Sequence, residues 1–487
     1  MAVRTAIMLI LVLAWLGPSA CHEGSISGED AAVDGFDTGP DAGLDDGADV
    51  AGDFDAGGGD DGYVATDDGG GSDDGGADRD GGGDGGGSVA ACQPLAPPAG
   101  PVVEVNPSQA GELRDIVAAA QSGTTIVLAD GSYALDQGDA TSRLSFSVPD
   151  VTLRSASGDP EAVILDGGWV TGELVSISAS RVTIAELTLR RAYYHPIHIT
   201  GGAADIEGVR IYRVRVSDPA EQGIKINPSG SGTYADRGLI ECCRIEMSDA
   251  GRARVRNNCY TGGIDAHQAW GWTVRNNRIV GFWCEQGLSE HGVHFWTGSR
   301  DTLVEGNVIV DCARGIGFGL GENGNGNQRS YPDDPYTGVG YIGHFDGVIR
   351  NNFIAVTSVA LLSSEYGFDS GITLDQARGS RVLHNSIVSS QAPFSSLEWR
   401  FDNTLVEIRN NLVSHNLRDR GGTAELGGNI EGAALDWFVD PGSGDLHLSG
   451  QQPAVDGGVR LEPGWCDLDI DGQTRDSRPD VGADELF

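Results

Sequence analysis

The chain has 487 residues and a formal net charge of −39 at pH 7. Residues 22–90 contain 20 acidic residues and one basic residue, Arg79, so this segment alone contributes −19. Because phosphate binding needs clustered lysine and arginine side chains, this charge excludes nucleic acid as the main partner. An anionic ligand would need a local basic pocket, since the field of the whole protein repels it.

The first 21 residues have the features of an export signal. Arg4 supplies a positive start, and the apolar run 5–16 is too short to span a bilayer as a helix. The segment LGPSAC at 16–21 resembles a bacterial lipoprotein cleavage box, although Pro18 stands where an aliphatic residue is usual. This resemblance implies lipidation of Cys21 and anchoring to the outer membrane, at the cell surface or the periplasmic face. Ordinary signal cleavage would instead give a secreted protein.

Composition divides the remainder of the chain into three parts. Residues 22–90 are rich in Gly, Asp and Ala and poor in bulky apolar residues. Such a segment cannot bury enough surface to offset chain entropy, so we expect a disordered, extended linker. We expect residues 91–463 to form the folded body and residues 464–487 a closing segment. No other stretch is apolar enough to cross a membrane, and we expect a monomer.

Eight cysteines are present, and an exported protein can form disulfides from them. If Cys21 is lipidated, an odd number remains, so at least one must stay unpaired. Cys284 and Cys312 follow equivalent strands of the repeat described below, and we expect them to pair. No CxxC pair is present, so the sequence indicates no zinc site, and we expect no metal-ligand cluster elsewhere.

An asparagine recurs within short aliphatic segments along the body of the chain. Each coil of such a repeat cannot bury its apolar face alone, and stacked coils form a continuous core. Stacked asparagine side chains can hydrogen-bond to the coils above and below, and asparagine tolerates the left-handed backbone of a tight turn. The pattern therefore predicts an all-β solenoid. The recurrent residues are Asn277, Asn307, Asn352, Asn385 and Asn411.

These segments resemble the right-handed parallel β-helix of the pectate-lyase-like superfamily over about residues 124–420. The segment beginning at Thr125 resembles the entry coil of such lyases, and we expect residues 112–120 to form an amphipathic cap helix over the open end of the solenoid. The tail resembles the end of bacterial surface β-helix proteins. Its acidic triplet, Asp467, Asp469 and Asp471, has the opening spacing of a calcium loop but lacks the closing glutamate. Lyases of this kind often use calcium, so calcium stays open as a cofactor.

Six strands of the body share a period-2 pattern in which apolar residues alternate with variable ones. If the strands stack in register, two columns of variable residues lie side by side on an exposed outer face. Gly317 and Gly319 would clear space for a ligand there. The first column comprises His198, Lys225, Asp265, His294, Gly317 and Thr373, and the second comprises Thr200, Asn227, His267, Trp296, Gly319 and Asp375.

Ionisable groups concentrate on three successive coils of this face, which favours an active-site groove over a merely solvated surface. A cation, a carboxylate, two imidazoles and a phenol suffice to remove a proton beside a carboxylate group. We expect Lys225 or His267 to be the base, Asp265 to orient it, and His294 or Tyr260 to assist. All should point outward, so alanine variants should leave the fold intact.

Other residues of the same face are candidates for substrate binding. Aromatic rings stack on sugar faces, and an amide can hydrogen-bond a carboxylate. The long insertion between Gly319 and Gly347 should wall the cleft, and it or Arg314 could supply a basic group. The candidate binding residues are Asn227, His198, Trp296, His291 and Asp375.

Asp265 and His267 also resemble the Asp-Pro-His-Asp region of alginate C5-epimerases, although Ala266 and Gln268 depart from it. The resemblance implies proton transfer at uronate C5, a step that lyases and epimerases share. We expect a lyase that cleaves an acidic polysaccharide by β-elimination, with a C5-epimerase as the first alternative. A hydrolase needs paired acids, and this face offers only Asp265 and the distant Asp375. A non-catalytic glycan-binding adhesin is the alternative from another class.

Overall fold

The computed structural model describes residues 92–256, 258–321 and 328–487. These residues form three parallel sheets that stack as a parallel β-helix, which confirms the predicted fold class. The expectations for the signal segment, for Cys21 and for the acidic linker fall outside the described residues. Among the helices of the described part, none is long and apolar enough to cross a membrane.

Most coils contribute one strand to each sheet, and some contribute two strands to the first sheet. The first sheet contains Val102–Val105, Thr125–Leu128, Thr152–Ser155, Thr183–Ala185, Arg210–Tyr212, Leu239–Glu241, Thr273–Arg275, Ser299–Arg300, Leu303–Glu305, His344–Phe345, Val348–Arg350, Ala377–Leu383, Leu405–Arg409 and Thr423–Gly427. The second sheet contains Gly131–Ala134, Val163–Asp166, Thr188–Arg190, Arg215–Ser217, Arg244–Glu246, Arg278–Val280, Val308–Val310, Phe353–Val356, Ser386–Ser389 and Leu412–Val413.

The third sheet carries the two predicted columns and is called the site sheet below. Its strands are Leu144–Phe146, Val175–Ile177, Ile197–Thr200, Gln222–Asn227, Gly262–His267, His291–Trp296, Arg314–Phe318, Ser370–Asp375, Ser395–Arg400 and Leu417–Arg420. Two small pairs, Ile206–Glu207 with Ala235–Asp236 and Phe438–Asp440 with Asp445–Leu448, lie apart from the three sheets.

Helical elements in the described residues are short. The predicted cap helix is present as Leu113–Ala119, preceded by a 3-10 turn at Pro107–Glu112, and it buries Leu113 and Val117 in the core. This arrangement covers the first coils. The other helical segments are Asp139–Ser142, Asp249–Arg252, Val359–Leu362, Leu435–Trp437 and Pro441–Ser443.

A buried asparagine ladder joins successive coils, as predicted. Each side-chain amide donates to the Oδ1 of the next ladder residue at 2.9–3.0 Å. The left-handed backbone, however, is found one position earlier than expected, at Asn276, Asn351 and Asn410 among others. The ladder asparagines thus serve as hydrogen-bond partners, while their predecessors make the turn. The ladder members are Asn277, Asn307, Asn352, Asn385, Asn411 and Asn429.

Replacing Asn352 by alanine should lower the free energy of unfolding by about 1–3 kcal/mol, because it leaves buried polar groups of neighbouring coils without a hydrogen-bond partner. One of these is the backbone N–H of Asn307, which donates to Asn352 Oδ1. Denaturant-induced unfolding would measure the change. The matched variant Asn429→Ala, at the half-exposed end of the ladder, should cost less. Equal losses for the two variants would contradict a cooperative ladder.

Glycines open five successive strands of the site sheet because the coils approach one another closely there. At four of them a Cβ atom would lie 2.2–2.8 Å from a carbonyl oxygen of the next coil, which no side chain tolerates, and at Gly292 the distance would be a tight 3.1 Å. The Gly-Ile repeat of the sequence is therefore a packing requirement. These glycines are Gly223, Gly263, Gly292, Gly315 and Gly371.

Two disulfides are present, Cys92–Cys242 and Cys259–Cys284. The predicted Cys284–Cys312 pair is wrong, because Cys312 points into the core and is 1% exposed. Cys284 lies in a loop instead and bonds Cys259, beside Tyr260. Disulfides are typical of proteins that fold outside the cytoplasm. The unpaired cysteines among the described residues are Cys243, Cys312 and Cys466.

The end of the chain lies along the second sheet. A separate apolar cluster joins Phe438, Leu446 and Val481 of this tail to Phe353 and Leu412, which belong to that sheet. The chain from Phe438 onward therefore shields a lateral face of the solenoid.

Candidate active site

The predicted in-register stacking is confirmed on the site sheet. Lys225 pairs with His198 on one side and with Asp265 on the other, and Asp265 pairs in turn with His294. In the second column, His267 pairs with Trp296. Because neighbouring strands lie about 4.8 Å apart, this register alone brings the ionisable groups of separate coils into contact.

Lys225 is the centre of a compact polar cluster. Its Nζ lies 2.7 Å from Tyr260 Oη, 2.7 Å from Asp265 Oδ2 and 3.0 Å from His267 Nε2. Tyr260 Oη and Asp265 Oδ2 accept from the ammonium group, whereas the role of His267 Nε2 depends on the tautomer of the ring. Tyr260 Oη and His267 Nε2 also lie 3.3 Å and 3.2 Å from Asp265 Oδ2. Lys225, Tyr260, Asp265 and His267 are called the Lys225 cluster below.

Asp265 is held as a carboxylate. Burial alone would raise its pKa, but the Lys225 ammonium and the neighbouring His267 hold the pKa well below its usual range. Trp296 Nε1 donates to its other oxygen, Oδ1, at 2.8 Å. The carboxylate is thus fixed from both sides.

Exposure differs from what the sequence predicted. Lys225 and Asp265 are 3% and 1% exposed, so they do not form an open face. Trp296 is 1% exposed and cannot serve as an open sugar platform; instead it binds Asp265 and stacks on the ring of His294. The reason is that neighbouring side chains of this face fold over one another. His267 is half-buried, as are Thr200 and Asn227 of its column, and Tyr260 is half-buried as well.

Tyr260 does not belong to a strand. It lies in the loop before Gly262–His267, immediately after Cys259, and the Cys259–Cys284 disulfide ties this loop to the one before His291–Trp296. The covalent link therefore fixes the position of the phenol relative to Lys225.

His291 and His294 lie beside the Lys225 cluster and are both buried. His294 Nδ1 lies 3.0 Å from Glu290 Oε2, and its Nε2 lies 2.9 Å from the carbonyl oxygen of Gly319. Burial would lower the pKa of His294, but Glu290 and Asp265 raise it. The pKa of His291 falls to about 3 through burial and the neighbouring His294.

His198 and Asn227 bind each other on the first coils of the site. His198 Nε2 lies 2.5 Å from Asn227 Oδ1, and its Nδ1 lies 2.5 Å from Glu173 Oε1. Burial would raise the pKa of Glu173, but His198 lowers it to about 2. Nothing in the sequence repeat pointed to Glu173, because it lies in a loop before the strand Val175–Ile177.

Asp375 lies three coils beyond Asp265 and belongs to a second acidic pair. Burial, reinforced by the charge of Glu398, raises the pKa of Asp375 to about 7, and its Oδ1 is buried without a hydrogen-bond partner among the described residues. Glu398 was missed, because its strand Ser395–Arg400 lacks the opening glycine. The apolar alternation of Leu397 and Trp399 was the signal that could have found it.

Asp375→Asn should stabilise the protein in a pH-dependent manner. The folded-state pKa lies above the usual 3.8, so this group's stabilising contribution is complete below about pH 4 and is lost as pH rises through about 7. The variant's advantage in unfolding free energy should grow across that window, to the order of a few kcal/mol. Melting curves at pH 4.5 and 8 would test this. The charged or phenolic groups influencing Asp375 are Glu398, Arg400, Arg420, Arg314 and Tyr341.

The exposed variant Asp402→Asn is the matched control, because it makes the same substitution at a surface position. A constant difference between Asp375→Asn and wild type at both pH values would contradict the prediction.

The insertion contributes Arg329, Tyr331 and Phe345 to the side of the fold near Trp270, where they pack with it. Arg329 binds both oxygens of Asp236 at 2.7 Å. Arg314 similarly pairs with Asp369 at 2.9 Å. Both candidate basic groups are therefore engaged in ion pairs of their own.

The acidic triplet of the tail does not converge in the way a calcium loop requires. Asp467 caps the backbone N–H of Gly464, while Asp469 Oδ1 accepts from the backbone of Asp471 and Gln473. Asp467 and Asp469 thus serve the local turn, whereas Asp471 Oδ2 lies 3.1 Å from His447 Nε2.

No protein-family model and no curated protein matches the chain. Among solved structures it is similar to the pectate lyase Pel9A (TM-score 0.46, 14% identity, covering 77% of this chain and 90% of that chain). It is also similar to an alginate lyase from Paenibacillus (TM-score 0.45, 15% identity, 66% and 97% covered). A third is PfbA, a surface adhesin of Streptococcus pneumoniae (TM-score 0.35, 13% identity, 67% and 85% covered). These similarities concern the fold alone.

Proposed function

We propose that the protein acts on an acidic polysaccharide as a lyase that cleaves a uronate linkage by β-elimination. The observation that carries this proposal is the Lys225 cluster, in which one ammonium group contacts a phenol, an imidazole and a carboxylate within 3.0 Å. Two groups able to transfer protons, Tyr260 and His267, are its half-buried members. An ammonium group between them stabilises negative charge that develops during the reaction.

The half-buried groups carry the chemistry in this proposal, because Lys225 is too deeply buried to meet a polymer. With Nε2–H of His267 directed at Asp265 Oδ2, its Nδ1 takes the proton from C5 of the uronate. The electron pair of the broken C5–H bond forms the C4–C5 double bond. The bond from C4 to the linking oxygen breaks, and Tyr260 gives a proton to that oxygen. Lys225 stabilises the negative charge on the phenol oxygen, and Asp265 holds Lys225 in place.

A basic and aromatic patch beside the cluster supports an anionic substrate. The guanidinium of Arg256 lies 4.0 Å from the ring centre of Tyr193 and 5.0 Å from that of Tyr194. Its backbone carbonyl accepts from the N–H of Tyr260, so patch and cluster share one loop. Nη1 of Arg256 also lies 3.9 Å from Glu221 Oε1, a longer contact than the ion pairs of Arg314 and Arg329. In this proposal the patch supplies the local cation that a strongly acidic protein needs to hold a uronate carboxylate.

A C5-epimerase is the second candidate, and one observation favours it. Tyr260 and His267 both contact Lys225, so one group could take the C5 proton while the other returns a proton to the opposite face. Such a reaction breaks no glycosidic bond. A glycan-binding adhesin would use the same patch without turnover.

The test is incubation of the purified protein with a panel of uronate and glycosaminoglycan polymers, with and without calcium. Ultraviolet absorbance follows the unsaturated uronate product, and proton NMR of the sugar runs in parallel. Rising absorbance supports the lyase. Changed NMR signals without absorbance indicate the epimerase, and chain shortening without absorbance indicates a hydrolase. Binding without any of these changes would overturn the proposal in favour of the adhesin.

A further inference from the structure

Glu290, His291 and His294 form a group whose arrangement the proposed reaction does not use. One potential ligand atom from each lies within 4.8 Å of the others, and all three residues are buried. Glu290 Oε2 lies 3.0 Å from Nδ1 of His294 and 3.8 Å from Nδ1 of His291. Two imidazole nitrogens and a carboxylate oxygen thus face one point.

The distal nitrogens of both rings are anchored. Nε2 of His294 faces the carbonyl oxygen of Gly319 at 2.9 Å, so this nitrogen carries a proton and donates it. Nε2 of His291 lies 2.8 Å from Thr373 Oγ1. Histidines that ligate metal ions typically bond a carbonyl or another polar group through the second ring nitrogen, which fixes the ring and its tautomer.

The buried Nδ1 atom of His291 points to an absent ligand. This nitrogen has no hydrogen-bond partner among the described residues, since 3.8 Å to Glu290 is too long for a hydrogen bond. The residue is 2% exposed. A buried ring nitrogen left without a partner is costly, and it is aimed at the carboxylate that His294 also faces.

Because Gly317 has no side chain, the ring of His291 has room to take this position. A Cβ atom at position 317 would lie 2.7 Å from His291 Nε2 and 2.8 Å from its Cε1. The ring therefore lies directly over the glycine backbone, in a place that any larger residue would fill. The site is held by packing as well as by hydrogen bonds.

We infer that Glu290, His291 and His294 bind a divalent transition metal ion of the zinc class. Two nitrogens and one carboxylate oxygen suit Zn²⁺ or Co²⁺, whereas Ca²⁺ prefers oxygen ligands only. In the metal-free arrangement a proton lies between Nδ1 of His294 and Glu290, and the metal takes its place. Asp265 adds a second carboxylate, with Oδ1 3.9 Å from His294 Nδ1.

The sequence did not reveal this site, because its three residues take different positions relative to the strand repeat. Glu290 precedes the strand His291–Trp296, whose alternation places His294 in the column and leaves His291 at the opening position. His291 lies over the outer face of the site sheet because the coils stack in this register and Gly317 has no side chain. The inference is independent of the proposed function, since it is tested by metal binding and not by turnover.

The test is titration of the purified, chelator-treated protein with Zn²⁺, followed by calorimetry, and with Co²⁺, followed by visible absorption. Wild type should bind one tight equivalent that excess Ca²⁺ does not displace. Glu290→Gln and His291→Gln should each weaken that binding at least about 100-fold and remove the cobalt absorption. His415→Gln, which changes a histidine outside the site, is the matched control and should bind as wild type does. The acidic segment 22–90 is present in wild type and in all three variants, so any metal ion that it binds contributes equally to each measurement.

Thr373→Val keeps the metal ligands and removes the partner of His291 Nε2. It should weaken Zn²⁺ binding about 10–100-fold, as removal of an outer partner typically does. This variant keeps the inference testable if a ligand variant fails to fold. Absence of a tight equivalent in wild type, or unchanged Zn²⁺ affinity in folded Glu290→Gln, would overturn the inference and leave His294 as a simple ion-pair partner of Glu290.

Discussion

Tyr260→Phe should lower kcat on the responsive polymer by about 10²–10⁴-fold. It should lower the free energy of unfolding by only about 1–3 kcal/mol, because the buried Lys225 ammonium loses one of its acceptors. The substitution removes only the hydroxyl, which contacts Lys225 and Asp265, and the ring remains to fill its place. Because the phenol gives the proton to the departing oxygen in the proposed reaction, the loss should be in kcat and not in KM. Initial rates of absorbance increase over a range of polymer concentrations would separate the two.

Tyr366→Phe is the matched control, since this tyrosine is 43% exposed and lies outside the site. It should keep wild-type kcat. Full activity of Tyr260→Phe would remove the phenol from the mechanism. A rise in KM at constant kcat would make it a binding group instead.

Lys225→Ala should lower the free energy of unfolding by about 3–5 kcal/mol, which is the opposite of what an open face predicts. Lys225 and Asp265 form an ion pair of 2.7 Å, and their side chains are 4% and 1% exposed. Removing the ammonium leaves a buried carboxylate without its main counter-charge. Unfolding by guanidinium, with catalytic rates measured on the same samples, would separate lost stability from lost chemistry.

The surface pair Arg181 and Asp150 provides the control, because its side chains are 56% and 38% exposed. Arg181→Ala should change stability far less, since water screens that pair. The double variant Lys225→Met with Asp265→Leu should regain part of the loss, although it leaves Trp296 Nε1 without its acceptor. Equal effects of Lys225→Ala and Arg181→Ala would show that burial of the pair contributes little.

Substitutions at Tyr260 and at Lys225 report on different properties of the site, namely catalysis and stability. Alanine scanning of the columns would mix folding defects with catalytic ones, because most column residues are buried. Substitutions that keep volume at the half-buried positions, Tyr260→Phe and His267→Gln, address the chemistry more directly. If neither substitution changes the turnover of the polymer, the Arg256 patch is the next region to test.

Much of the fold could be predicted from the sequence because a solenoid is built from local repeats. Apolar alternation, the opening glycines and the asparagine slot each report a contact that recurs in every coil. Coil register follows from aligning the repeats, and this alignment alone predicted that Lys225 neighbours Asp265 and that Asp265 neighbours His294. The strand with Glu398 escaped detection because it lacks the glycine on which the alignment relied.

The sequence by itself therefore determined the fold class, the columns and the neighbours within them. Tertiary structure decided what no repeat encodes: which loops meet, and which side chains are covered. Cys259 bonds Cys284, Tyr260 reaches Lys225, and Glu173 reaches His198 across separate coils. Burial of the columns likewise depends on side chains that fold over their neighbours. Alternation specifies which face of a strand a side chain takes, whereas solvent access depends on everything packed above that face.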